Sequence, residues 1–210
     1  MKKPEYYAGK REDILEVLPD GLDRVLDIGC GAGILGSDIK AKTGGKAEIT
    51  GVEIEEEIAK KAKAKIDRVL VGDIEKLELP FEKEYFDCVI YGDILEHLRD
   101  PWALLLKNTP FLKKSGFVII SVPNISHYRI IKMLFRKEWN YDERGILDRE
   151  HLRFFTLKSA KDMLERANLD IVKIKHNISA SKVKKFLNVI FFGALLDYIT
   201  EQYIIVAKRR

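Results

Sequence analysis

An apolar strand that ends near an acid and runs into a glycine-rich turn constrains the fold of this chain most. The nine residues from Val25 to Gly33 read VLDIGCGAG, and a segment of helical spacing follows them. Glycine permits backbone conformations, and a close approach to a ligand, that a Cβ atom would prevent. We therefore expect a strand, a ligand-cradling turn and a helix in that order.

Apolar runs and segments of helical spacing alternate along most of the chain. The predicted strands are Arg24–Cys30, Glu48–Ile54, Arg68–Asp73, Phe86–Asp93, Gly116–Pro123, Asp170–His176 and Gln202–Lys208. The predicted helices are Glu5–Leu18, Gly33–Lys42, Glu55–Ile66, Pro101–Leu112 and Thr156–Asn168. This alternation predicts an α/β fold with a mostly parallel sheet and helices on both faces. A length of 210 residues suits one domain, so we expect residues 1–210 to form a single unit.

The composition is typical of a folded cytoplasmic chain. Hydrophobic residues make up 46% of it, which is too many for a disordered chain. The net charge of +4 is weaker than the basic stripe of a dedicated nucleic-acid binder, so we expect no nucleic-acid partner. Cys30 and Cys88 form no CxxC pair, and the N-terminus lacks an apolar leader. Both features favour the cytoplasm.

Two stretches in the last third depart from the alternation. Residues 126–153 follow a predicted strand and form a predicted lid or substrate wall, here called the lid segment. Its helix, Tyr128–Lys137, has apolar residues at 130, 131, 134 and 135 that we expect to pack the lid, with the cations solvated; an anionic substrate is the alternative. The apolar run Phe186–Ile199 is too short to span a bilayer. We expect it to pack on the sheet, while peripheral membrane contact, and either a monomer or a homodimer, remain open.

Four acids end successive strands of the predicted sheet: Asp27, Glu53, Asp73 and Asp93. Open α/β sheets bind ligands at the carboxyl ends of their strands. Glu53 can accept hydrogen bonds from ribose hydroxyls and Asp73 from an adenine amino group, with Ile74 as an apolar wall for the ring. A row of acids suits a cationic cofactor better than a pyrophosphate. The turn also satisfies GxGxxG at Gly31–Gly36, so a nicotinamide-dependent oxidoreductase is an alternative.

In these motifs the chain resembles the class I S-adenosylmethionine-dependent methyltransferases, a likeness that extends to Phe86–Pro101 and to the segment from Leu112 to Ile120. The resemblance implies a Rossmann-like sheet of seven strands with an antiparallel last strand. It also implies S-adenosylmethionine as the cofactor. The cofactor-binding residues would be Asp27, Gly29, Cys30, Gly31, Glu53, Ile54, Asp73, Ile74, Tyr91 and Asp93. Near the N-terminus, Tyr7 or Arg11 would contact the methionine end.

Histidines are the candidate catalytic residues, because an alcohol or phenol acceptor must lose a proton before its oxygen is methylated. His97, His127 and His151 follow strand ends or lie in the lid segment. His151 could equally hold the loop on the sheet, and His127 begins a predicted helix and could face solvent. We interpret His176, in a predicted edge strand, as structural.

A metal site is a further alternative at the fourth strand end. Asp93, Glu96 and His97 resemble an acid-x-x-Glu-His cluster with which some methyltransferases hold a divalent ion, together with another histidine such as His151. Glu-His at this place also resembles relatives without a metal. We favour that second interpretation and assign no metal ligand.

The sequence therefore predicts an O-methyltransferase whose substrate is a small hydroxylated acceptor such as a sugar, a phenol or a lipid precursor. The lid region resembles that of methyltransferases of ubiquinone and polysaccharide biosynthesis. An RNA methyltransferase and a non-catalytic cofactor-binding protein are the remaining alternatives.

Overall fold

The computed structural model describes residues 10–178 and 193–210. Tyr7, and all of the run from Phe186 except its end, lie outside the described residues. Within the described ranges no helix is long and apolar enough to cross a membrane.

Seven strands form one sheet. They are β1 (Arg24–Ile28), β2 (Glu48–Glu53), β3 (Arg68–Val71), β4 (Phe86–Gly92), β5 (Leu112–Pro123), β6 (Leu169–Asn177) and β7 (Gln202–Arg209). Their order across the sheet is β3-β2-β1-β4-β5-β7-β6. The first five pair in parallel, and β7 runs antiparallel to both β5 and β6. The predicted seven-stranded sheet with a reversed last strand is thus confirmed.

The described helices connect these strands. They are α1 (Glu12–Leu15), α2 (Ile34–Lys42), α3 (Glu56–Ala62), α4 (Pro101–Asn108), α5 (Tyr128–Phe135), α6 (Leu157–Arg166) and α7 (Leu196–Ile199). Short 3-10 turns occupy Leu95–His97 and Thr109–Phe111. The helix predicted to reach Leu112 ends at Asn108, because Pro110 has no amide hydrogen with which to continue the α-helix, and a 3-10 turn follows.

Strand β5 begins earlier than the sequence predicts. It starts at Leu112 rather than Gly116, and its register against β4 shifts between Phe86 and Cys88. Ser115 has a φ of 62°, and a Cβ on Gly116 would lie 2.9 Å from the carbonyl oxygen of Lys113. The charged residues before Gly116 therefore belong to a locally distorted strand and not to a turn.

Alternate residues of the central strands supply two apolar cores, one on each face of the sheet. Leu26 and Ile28 of β1 belong to the first core, and Val25 belongs to the second. The period of two follows from the pleat of a strand. Because both faces are covered, the strands read as nearly continuous apolar runs, and the exposed chemistry is confined to the strand ends.

The two ends of the lid segment meet beside the sheet. Asn124 and Phe155 form an isolated parallel bridge, and the amide of Ile125 donates to the carbonyl oxygen of Phe155. The Asn124 side chain also donates to the carbonyl oxygens of Asp197 and Thr200. The lid segment is consequently a long loop whose flanking residues, Asn124 and Phe155, are hydrogen-bonded side by side.

Candidate functional site

A cleft of about 680 Å³ opens at the carboxyl ends of β1 to β4. This volume lies in the range of clefts that bind small molecules. Of the residues expected to bind the cofactor, nine line the cleft: Asp27, Gly29, Cys30, Gly31, Glu53, Ile54, Asp73, Ile74 and Asp93. The cleft therefore brings together the four acids that end successive strands.

The glycine turn and Glu53 fix each other. The amides of Gly29 and Cys30 donate to the carbonyl oxygen of Val52, and the Gly31 amide donates to Oε2 of Glu53 at 2.9 Å. Oε1 of Glu53 accepts from the Glu55 amide at 3.0 Å. Gly29 and Gly31 have φ values of 74° and 53°, which an L side chain rarely adopts. Each carboxylate oxygen retains a second lone pair that can accept from a hydroxyl.

Asp27 is the acid most affected by its surroundings. Its side chain is buried at the end of β1, and burial raises the pKa of its carboxyl to about 7. Arg11 opposes this rise and Glu53 adds to it. A cation bound beside Asp27 would favour its ionised form, so the site suits a positively charged ligand group.

Asp93 is occupied by protein groups. Its Oδ2 accepts from Nη1 of Arg11 at 2.8 Å, and its Oδ1 accepts from Ser121 Oγ at 2.5 Å and from Gln202 Nε2 at 2.6 Å. Nη2 of Arg11 also donates to Ser121 at 2.9 Å. Asp93 therefore acts as an anchor that holds Arg11 in the cleft wall.

The walls of the cleft beside Asp73 are apolar. Ile74 is buried and Ile54 is 62% exposed, and both line the cleft. The Asp73 carboxylate accepts from the Glu75 amide at 3.0 Å and pairs with Lys76 at 3.1 Å. An acid next to apolar side chains can recognise the amino group and the faces of a flat heterocycle.

Tyr91 does not reach the cleft, contrary to the expectation from its place near the end of β4. Its ring is fully buried in the first core, where its hydroxyl accepts from Nδ2 of Asn108 at 3.2 Å, and burial raises its pKa. The cause is the pleat: a residue within a strand points to a face of the sheet, whereas the cleft is lined by residues at or beyond the strand end.

His97 and His151 come together with Glu96. Their ring centroids are 4.8 Å apart, and Nε2 of His151 lies 4.0 Å from Oε1 of Glu96. His97 lines the cleft, while His151 and Glu96 are buried behind it. Nδ1 of His97 lies 3.2 Å from the Glu150 carbonyl oxygen, and Nδ1 of His151 lies 3.1 Å from that of Ile146. A carbonyl only accepts, so these contacts put the protons on Nδ1 and make Nε2 the basic nitrogen of each neutral ring.

His127 lies elsewhere. It precedes α5, where its Nδ1 accepts from the Arg129 amide at 3.4 Å, and its ring packs on Tyr128. The side chain is buried rather than facing solvent, and it does not line the cleft. Its contacts are those of a helix cap. His176 lies in the edge strand β6, with Nδ1 3.1 Å from Thr200 Oγ1.

The group that could hold a metal differs from the sequence hypothesis in one member. Glu96, His97 and His151 each offer one ligand atom, and these atoms lie within 4.8 Å of one another. Asp93 is not part of this group, because its oxygens face Arg11, Ser121 and Gln202. Imidazole and carboxylate together suit a divalent transition ion.

The lid segment contributes cleft residues that sequence reasoning missed. Glu150 and Leu152 line the cleft beside His97 and Arg99. The amides of Leu152 and Arg153 both donate to the carbonyl oxygen of Glu96. No local sequence pattern predicts these hydrogen bonds to Glu96, because they join segments more than 50 residues apart.

Comparisons with known proteins agree with this geometry. A family model described as a methyltransferase domain matches residues 2–174. Demethylmenaquinone methyltransferase of Bacillus cereus is 27% identical over 180 residues, which cover 77% of this chain and 75% of the relative.

Solved structures of S-adenosylmethionine-dependent methyltransferases share the fold. One from Archaeoglobus fulgidus is 24% identical with a TM-score of 0.71, covering 98% of this chain and 97% of its own. One from Thermotoga maritima is 20% identical with a TM-score of 0.68, covering 97% and 89%. The glycine turn is thus part of a methyltransferase domain, and the dinucleotide interpretation of its GxGxxG pattern is set aside. The chain belongs to the methyltransferase-domain family and is an S-adenosylmethionine-dependent methyltransferase.

Proposed function

We propose that this enzyme methylates an oxygen of a small hydroxylated acceptor, such as a sugar, a phenol or a lipid precursor. The observation that carries the proposal is the group formed by Glu96, His97 and His151 at the rim of the cleft. A hydroxyl oxygen must lose its proton as it is methylated, and an imidazole is suited to accept that proton near neutral pH. The cofactor, when bound, supplies the activated methyl group.

His97 is the proposed base. It lines the cleft, and the contact of its Nδ1 with the Glu150 carbonyl oxygen makes Nε2 the acceptor nitrogen. His151 packs edge-on against it with its own Nδ1 held by Ile146. The buried Glu96 lies beside His151 and would stabilise a positive charge in this pair.

The cofactor is proposed to lie along the row of acids. Glu53 would accept from the ribose hydroxyls and Asp73 from the adenine amino group, with Ile54 and Ile74 against the ring. The buried Asp27 would face the cationic methionine end, close to the glycine turn. The donor set fits the cofactor because acids and apolar walls alternate along one cleft.

A divalent cation held by Glu96, His97 and His151 is a second form of the proposal, and the donor chemistry favours it. Histidines that bind metals usually donate their other ring nitrogen to a carbonyl or carboxylate, as Nδ1 of both rings does here. A bound cation would orient the acceptor oxygen and lower its pKa, so a metal and a base would serve the same reaction.

The decisive experiment is a methyl-transfer assay with a panel of phenols, catechols and sugars, in which S-adenosylhomocysteine release and the methylated product are both measured. We expect an O-methylated product, and we expect His97→Asn to remove most of the activity without weakening cofactor binding. His176→Asn serves as the matched control because its ring contacts Thr200 at the sheet edge. Products methylated only on nitrogen or carbon would contradict the proposal.

A chelator distinguishes the two forms. Activity that survives EDTA supports His97 as the base, and activity that EDTA abolishes and Mg²⁺, Mn²⁺ or Zn²⁺ restores supports the cation. Cofactor binding without turnover on any acceptor would favour a non-catalytic protein. Turnover on RNA that falls steeply with salt would favour an RNA methyltransferase.

A further inference from the structure

We propose that the lid segment docks this enzyme onto an anionic lipid bilayer. The docking surface, here called the lid face, comprises four apolar side chains, Leu134, Phe135, Trp139 and Tyr141, and four cations, Arg129, Lys132, Arg136 and Lys137. This inference concerns where the enzyme works and does not depend on which atom it methylates.

The apolar stripe of α5 extends beyond the body of the protein. Ile130 is buried against the domain, and Leu134 and Phe135 continue the same stripe one turn later. Contrary to the sequence expectation that all of these residues pack the lid, Leu134 is 53% exposed and Phe135 is 86% exposed. Phe135 is the most exposed large hydrophobic residue in the described ranges. The stripe therefore offers apolar surface that the domain itself does not cover.

Two aromatic side chains extend this surface into the following loop. Trp139 is 40% and Tyr141 46% exposed, and their rings are 6.2 Å apart in an edge-on arrangement. Tryptophan and tyrosine are the side chains that concentrate at the headgroup level of membranes, because each has an apolar body and a polar tip. The lid face thus combines two apolar side chains that could insert into a bilayer, Leu134 and Phe135, with two side chains suited to its headgroup region, Trp139 and Tyr141.

The charge of α5 and its end complements an anionic surface. Residues 128–141 contain four cations and one acid, Glu138, and all five charged side chains are exposed. Arg129 lies 3.8 Å from Glu201, so the excess positive charge rests mainly on Lys132, Arg136 and Lys137. A short amphipathic helix with Lys and Arg around a Phe-Leu edge is typical of helices that lie in a membrane interface. Anionic lipid attracts each such cation, so the charges add to the apolar contact.

A chain of ring contacts joins the lid face to the candidate active site. Trp139 packs edge-on against Phe154 at 5.8 Å, Phe154 lies 6.4 Å from His151, and His151 lies 4.8 Å from His97. Docking at the lid face would therefore hold the acceptor side of the cleft close to the bilayer. An acceptor that resides in lipid could then reach His97 without crossing water.

The observations favour a bilayer over RNA or a second copy of the chain. RNA would be served by the cations, the tryptophan and the tyrosine, but it gives no reason to expose Leu134 and Phe135. A second copy would bring the cations of α5 close together, which is unfavourable unless the acids that follow them, Glu138, Asp142 and Glu143, pair with them across the interface. A bilayer accounts for the apolar and the cationic parts of the surface together.

The test uses the 210-residue chain and unilamellar vesicles of phosphatidylcholine, with or without one third phosphatidylglycerol. The chain has two tryptophans, so a Trp102→Phe variant leaves Trp139 as its single reporter. We expect co-sedimentation and a blue shift of Trp139 emission with the anionic vesicles, both weakened by salt. Phe135→Ser and the double change Arg136→Gln, Lys137→Gln should each lower partitioning about tenfold or more.

Matched controls lie on other surfaces. Val172→Ser removes an exposed apolar residue of β6, and Lys60→Gln with Lys158→Gln removes two exposed cations of α3 and α6. Partitioning that all of these changes reduce equally, or that neutral vesicles match, would overturn the proposal. So would a Phe135-dependent dimer in sedimentation, or tighter binding to an oligonucleotide than to the vesicles.

Discussion

The guanidinium of Arg11 and the carboxylate of Asp93 form an ion pair of 2.8 Å at the mouth of the cleft. Arg11 precedes α1, and Asp93 follows β4 with a φ of 55°. The pair ties the start of the described chain to the end of a central strand. Ser121 joins it by bonding both partners, so three separate segments meet at this point.

Removing the charge of Asp93 should weaken cofactor binding indirectly. In Asp93→Asn, Arg11 loses one of its two charged partners and keeps only Asp13, so it is held less firmly in the cleft wall. We expect a 10- to 100-fold loss of affinity for S-adenosylmethionine, typical of breaking a partly buried pair. Calorimetric titration measures the affinity. Arg11→Lys should lose less cofactor affinity, because lysine keeps the positive charge. Some loss is still expected, since lysine cannot donate to Asp93 and Ser121 through two separate nitrogens as Arg11 does.

The exposed pair of Asp170 and Arg210 supplies the control. Asp170→Asn should leave cofactor affinity within twofold, since exposed pairs contribute little. An Asp93→Asn enzyme that binds the cofactor as tightly as the wild type would show that Arg11 is positioned by other contacts.

The pH dependence of stability should depend on Asp27. Its pKa is raised from 3.8 to about 7 in the folded protein, mainly by burial. Between these pH values the folded state binds a proton that the unfolded state has lost, so this carboxyl makes stability fall as pH rises to about 7. Asp27→Asn does not titrate, so its stability relative to the wild type should improve by about 2 to 3 kcal/mol from pH 5 to pH 8.

Urea unfolding at each pH measures this difference. Asp67 is the opposite case: despite its partial burial, hydrogen bonds from the Ile49 amide and Lys40 lower its pKa. Asp67→Asn should therefore lose stability, most clearly above pH 5.

Cofactor affinity of the wild type should rise with pH to about 7 and then level off, while Asp27→Asn should show neither the rise nor the tight binding. An Asp27→Asn profile parallel to that of the wild type would exclude titration of this carboxyl.

Sequence reasoning predicted the sheet well because the buried strands are short apolar runs with turn residues at their ends. The run predicted at Phe86–Asp93 is β4 at Phe86–Gly92, and that at Gln202–Lys208 is β7 at Gln202–Arg209. The direction of β7 could not be read from its residues, because an apolar run looks the same in parallel and antiparallel pairing. That feature was implied by family resemblance.

The site was less accessible to sequence reasoning where it depends on contacts between distant segments. The acids of the cleft could be anticipated, since each follows a predicted strand. The partners of Asp93 could not, because Arg11, Ser121 and Gln202 come from three remote positions. The meeting of His151 with His97 likewise depends on how the lid segment folds back, which local spacing does not encode.

A Tyr91→Phe variant tests whether Tyr91 acts in the apolar core, as the structure shows, and not in the cofactor site. Tyr91→Phe keeps the ring and removes the hydroxyl that accepts from Asn108 in the core. We expect a loss of about 1 to 2 kcal/mol of stability, because a buried amide donor loses its partner, and an unchanged cofactor affinity. Thermal unfolding and calorimetric titration provide the two measurements. A clear loss of cofactor affinity with normal stability would instead indicate that Tyr91 contributes to cofactor binding.

His97, which lines the cleft, and the buried His127 should respond differently to the same substitution. His97→Asn removes the ring at the rim of the cleft, so kcat at saturating cofactor should fall by about 10²- to 10⁴-fold, the usual contribution of a general base. His127→Asn can retain a side-chain cap for α5, so its kcat should stay within twofold. His151→Asn should fall between them, by about 10- to 100-fold, because this ring supports His97 rather than lining the cleft. Initial-rate kinetics on the accepted substrate rank the three variants. If His127→Asn were as damaging to kcat as His97→Asn while both variants remained folded, the chemistry would have to lie nearer to α5 than the cleft geometry indicates.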